Sequence, residues 1–156
     1  MADRVSASIR IGGVLARADL PALSSIVAEE RLSTDWDGSD FIESVIPADG
    51  PLELMANEVA WGRFELLEQF CVTHCLPFVR WSGGYVGSWE AERVVFDGAG
   101  DQRSFTVTES DQVVITRGEA RHLGTIEAIH AYFASADPCL PPLTIADDDQ
   151  STGGCA

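Results

Sequence analysis

The chain has 156 residues, 46 % of them hydrophobic, and a formal net charge of −15 from 25 acids set against ten arginines and no lysine. That is enough apolar material to close the core of one domain without help from metals or disulfides. The missing lysine excludes Walker-type phosphate loops and Schiff-base chemistry, and the acidic excess disfavours direct nucleic-acid binding, which needs clustered Lys or Arg.

Val5, Ala7, Ile9 and Ile11 alternate with Ser6, Ser8 and Arg10, the period of a half-buried strand, and Gly12-Gly13 ends it. Asp19 can cap a helix that has Pro21 in its first turn and Leu20, Leu23, Ile26 and Val27 as its apolar stripe, running to about Leu32. Residues 33–51 are rich in turn formers and acids and read as a long loop or a short strand with turns, and loops of that length tend to be functional. Leu52, Leu54 and Ala56 suggest a second strand, and Phe64, Leu67, Phe70, Cys71 and His74 fall at helical spacing.

Residues 78–81, 89–96, 105–108 and 113–116 are strand-like and separated by glycine and aspartate turns, the pattern of an antiparallel meander. Thr125 can cap a closing helix with Ile126, Ile129 and Phe133 inward, stopped by Pro138, Pro141 and Pro142. The order predicts an α+β domain over 1–145. It is a two-layer sandwich with a mixed, mainly antiparallel sheet and helices on one face, the first helix serving as a crossover. Residues 146–156, with three consecutive aspartates and no apolar run, read as a disordered acidic tail that can be removed after Ile145.

The N-terminus has no apolar leader, no stretch approaches the roughly 20 apolar residues of a membrane span, and four cysteines form no dense framework. These features predict a cytoplasmic protein with free thiols and no membrane contact. Cys71, His74 and Cys75 come closest to a metal set, but their stripe also carries Phe64 and Leu67, so a core role is expected and no metal or cofactor is assigned. Asp97 and Asp101 lack the ligands of a calcium loop, and no nucleophile motif surrounds any serine or cysteine. Glu65 with Glu68 and Glu90 with Glu92 read as solvated faces rather than acid-base pairs. No catalytic residue is therefore named.

The charge is concentrated. Residues 29–68 hold eleven carboxylates and two arginines, whereas residues 1–28 come to +1 and residues 69–136 to −3. In extended chain, Asp35 and Asp37 would lie on one side about 7 Å apart, and Asp40, Glu43, Asp49 and Glu53 would continue the row. Trp36 sits among these acids, and Trp81, Tyr85 and Trp89 surround Gly83-Gly84, so both segments supply candidate interface anchors. This constellation predicts a partner-binding protein aimed at a basic surface, such as that of a nucleic-acid-binding protein. In its sharpest form it is a DNA-mimicking inhibitor of the antirestriction, anti-CRISPR or immunity type. The alternatives are a small enzyme with an unrecognised site or an accessory domain without catalysis.

Overall fold

The computed structural model describes residues 3–147. In chain order the elements are β1 (Arg4–Ile11), β2 (Gly13–Ala16), α1 (Leu20–Glu29), β3 (Leu52–Ala60), α2 (Glu65–Thr73), β4 (Phe78–Ser82), β5 (Glu92–Phe96), β6 (Arg103–Thr106), α3 (Arg117–Leu123), α4 (Ile126–Ala136) and β7 (Leu143–Ala146). Single turns of 3-10 helix occupy Arg17–Asp19 and Glu43–Val45. No helix among the described residues is long and apolar enough to cross a membrane.

The alternation in β1 does what its period requires: Val5, Ala7, Ile9 and Ile11 are buried on one face of the sheet. Five strands pair in the order β3-β1-β4-β5-β6, every pair antiparallel. The α+β class and the antiparallel run of β4, β5 and β6 are as expected, but the crossover is not. β3 returns antiparallel to β1, and the parallel pairing lies in a separate two-stranded sheet of β2 with β7. The connection is long enough for the chain to turn back before it re-enters the sheet. β7 also corrects the expected domain boundary, because Ala146 pairs with Ala16 and Asp147 bridges Arg17 at 3.1 Å. The rest of the expected tail lies outside the described residues.

The main core lies where α1 and α2 cover one sheet face. Leu23 and Val27 of α1 and Leu67, Phe70 and Cys71 of α2 pack with Ile9, Ile11, Leu54, Phe78 and Phe96. A smaller cluster on the opposite face joins Val79, Val95 and Phe105 to Ala136 and Tyr132 of α4. The closing helix thus packs across the sheet from the first two. It is lightly buried, with Ala136 its one fully enclosed residue. Val113 contributes an isolated bridge to Val107 rather than a strand, and the residues after it form α3, opened by a capping box between Thr116 and Glu119.

Chain exit from β1 depends on glycine. A Cβ on Gly12 would stand 2.1 Å from the Pro141 carbonyl oxygen, and Gly13 has φ +102°. Because the obstacle is backbone, it cannot swing aside, so Gly12→Ala is expected to cost about 1–3 kcal/mol by overpacking. Chemical denaturation checks this, and an unchanged midpoint would contradict the close approach.

Candidate acidic and aromatic interface groove

The loop after α1 does not hold its carboxylates in an extended row. Residues 34–37 bend and turn, because Asp35 Oδ1 accepts the amide N–H groups of Asp37 at 3.0 Å and Ser39 at 3.1 Å. Hydrogen bonds from the Ser39 side chain and from these amides hold the Asp35 carboxyl below its usual range. Glu43, in the 3-10 turn, pairs with Arg17 at 3.1 Å. Two members of the expected row are therefore engaged locally. Asp37, Asp40, Asp49 and Glu53 are exposed, and Glu53 lies cross-strand from Arg10.

The aromatic residues are also regrouped. Trp81 sits within β4, cross-strand from Ser8 and Arg93, and is partly buried. Tyr85 and Trp89 stack in the following loop with ring centroids 5.2 Å apart. Their further neighbour is Trp61, 5.8 Å from Trp89, a residue that the sequence reading passed over. Trp61 and Gly62 form the turn between β3 and α2. Both are left-handed, at φ 57° and 64°, and the Trp61 side chain is 52 % exposed.

That turn is set from below by a buried charge. Arg80 of β4 is 2 % exposed on the core side, and its Nη1 donates to the Gly62 carbonyl at 2.8 Å and to Ser82 Oγ at 3.1 Å. Its Nε lies 2.6 Å from Glu68 Oε1, and Nη2 lies 2.9 Å from Glu92 Oε1. The same Glu68 oxygen accepts the Phe64 N–H at the start of α2. Burial outweighs Arg80 and pushes the Glu68 carboxyl above its usual range. Glu30, at the end of α1, accepts the N–H groups of Leu66 at 2.9 Å and Leu67 at 3.3 Å, and burial raises its carboxyl as well. Glu68 is thus not on a solvated face, a correction to the sequence reading of the Glu65 and Glu68 pair.

Three adjoining clefts cover this end of the molecule. The largest, about 840 Å³, runs beside β3 from Trp36 to Trp61. The second, about 520 Å³, shares Trp61, Arg63 and Glu65 with it and extends to Trp89, Glu90 and Glu92. A third, about 550 Å³, continues from Trp89 and Glu90 to Tyr85 and Glu109. Together their walls carry eight carboxylates against three arginines, Arg4, Arg31 and Arg63. The groove therefore joins two expected anchors, Trp36 at one end and the Tyr85–Trp89 pair at the other, through Trp61. Period-2 placement of Arg80 on the side of Phe78 and Ser82 was the available sign of a buried charge, and the Trp61-Gly62 pair ending a strand was the sign of the turn.

The cysteines and histidine of the helical stripe diverge. Cys71 is buried, with its thiol raised by desolvation, whereas His74 caps α2, meets the Phe70 ring at a tilt with centroids 4.2 Å apart and faces Asp19 at 3.5 Å. No group of three or more potential ligands among the described residues converges on a metal position. Cys71 and Cys139 are free, but Cys75, beyond the helix end with φ 55°, is disulfide-bonded, so the expectation of free thiols does not hold there. No family model, curated protein or solved structure gives a significant match to this chain.

Proposed function

We propose that this protein is an acidic partner-binding domain that docks on a basic protein surface of the kind nucleic-acid-binding proteins present, occluding that surface as a nucleic-acid mimic would. The observation that carries the reading is the groove itself: the exposed aromatics Trp36, Trp61 and Tyr85 set in a wall where carboxylates outnumber arginines. Aromatics supply lasting contact area, while the surrounding charge speeds encounter and selects a cationic surface. Asp37, Asp40, Asp49 and Glu53 extend the negative field beyond the groove. The enzyme alternative gains nothing from the two raised carboxyls, since Glu30 is occupied by helix amides and Glu68 by Arg80 and an amide.

Recovery of a partner from lysate, followed by kinetics at increasing ionic strength, tests the proposal. The association rate is expected to fall at least about tenfold on going from low to high salt. A variant with Asp37, Asp40 and Asp49 changed to Asn and Glu53 to Gln is expected to bind more slowly at low salt and to show a shallower salt dependence, the groove carboxylates keeping the rest. Asp35 is left intact because it holds the turn. Association that is flat across ionic strength, or unchanged in the variant, would remove the reading.

A further inference from the structure

We infer that the middle cleft is a receptor for one cationic side chain, a guanidinium or alkylammonium seated on Trp61 beside Trp89 among Glu65, Glu90 and Glu92. The inference rests on the partner-binding reading and specifies what the partner inserts.

Its first support is backbone geometry. A left-handed conformation is unfavourable for a bulky residue, and Trp61 adopts it while leaving about half of its side chain in solvent, at 52 % exposure. Core packing does not account for that position. The turn is nevertheless fixed: the Gly62 carbonyl is held by Arg80, and a Cβ at Gly62 would stand 2.5 Å from Ser82 Cβ, so the turn is pressed against β4. Trp89 is held by Tyr85, stacked at 5.2 Å, and by its indole N–H, which donates to the Gly83 carbonyl at 3.4 Å. Two indoles meeting at 43°, each tied to its own loop by these contacts, thus form a partly exposed aromatic wall.

The second support is the charge around that wall. Glu65 and Glu90 are exposed, and Glu92 keeps its side chain 34 % exposed although one oxygen serves Arg80. An anion would be repelled by three carboxylates, and a neutral apolar group would have to desolvate them without return. A cation uses both features, because the faces of indole rings carry negative potential and the carboxylates add direct attraction. The one base in the cleft, Arg63, is exposed and competes with an incoming cation from within the chain.

The test is an NMR titration of the indole N–H resonances with N-acetyl-arginine amide, using N-acetyl-citrulline amide as its neutral isostere. Saturable shifts at Trp61 and Trp89 are expected with the arginine probe and at least about fivefold weaker binding with citrulline. Arg63→Gln is expected to tighten the arginine probe roughly two- to threefold by removing the competing charge. Trp61→Gly suits the left-handed backbone and so preserves the fold, and is expected to abolish the shift at Trp89. Equal response to both probes, no saturable response, or undiminished binding in Trp61→Gly would overturn the inference. Docking of the whole partner is read separately through its salt dependence and the loop variant. A failure of the cationic pocket is therefore distinguishable from a failure of partner binding.

Discussion

Arg80→Met is expected to destabilise the protein by about 3–5 kcal/mol, because it leaves the buried Glu68 without its cation and removes the partner of the part-exposed Glu92. Methionine fills much of the arginine stem's volume, so the loss measures charge and hydrogen bonding more than a cavity. For a chain of this length the fall in Tm is about 6–20 °C. Glu68→Gln is expected to cost less than half as much, since Arg80 would keep Glu92, Ser82 and the Gly62 carbonyl. The pH response follows the same logic. The folded Glu68 carboxyl lies above its ordinary value of 4.5, so its favourable contribution is present below that value and is lost as pH rises through the raised one. Glu68→Gln is expected to flatten stability against pH in that window. Denaturation of the three proteins between pH 4 and 7 decides the matter, and an Arg80→Met variant as stable as the parent would show that the buried network is not a structural support.

Arg93→Met is expected to release the closing helices without unfolding the main core. Arg93 is 6 % exposed in β5 and reaches two separate pieces of chain. Its Nε meets Asp111 Oδ1 at 2.9 Å, and its Nη1 donates at 2.9 Å to the carbonyl of Ala136, the last residue of α4. A cation at a helix C-terminus satisfies a carbonyl that the helix itself leaves open. The other ties on α4 are few: Ala136 is fully buried, Tyr132 makes an edge contact with Phe105 at 5.2 Å, and Arg103 Nη2 donates to the Ser135 carbonyl at 3.4 Å. Hydrogen exchange is expected to show loss of protection over residues 117–136 and in the Asp111 turn, with protection in β1 and β4 retained. Uniform loss across the sheet would mean that α4 belongs to the same cooperative unit as the core, and no loss would mean that Tyr132, Ala136 and the Arg103 hydrogen bond to Ser135 suffice.

These two arginines mark where the sequence stops being informative. β1, α2 and the cap of α4 at Thr125 could be read directly, because alternation, helical spacing and capping depend on residues a few positions apart. The capping box from Thr116 to Glu119 was legible in the same way, but the alternating residues before it read as a strand and masked the start of α3. The concentration of charge in residues 29–68 was equally open to sequence reading, whereas the direction of each carboxylate was not: Asp35 turns onto its own loop and Glu43 onto Arg17. Only the tertiary structure brings β4, α2 and β5 to one point so that Arg80, Glu68 and Glu92 share a buried site. The same convergence places Trp61 beside Trp89 across 28 residues of chain, a ring contact that the local sign of a turn at Trp61-Gly62 does not foretell. Periodicity records which face of an element is apolar. The burial of a charge and the meeting of two rings depend on strand order and register, which long-range pairing sets.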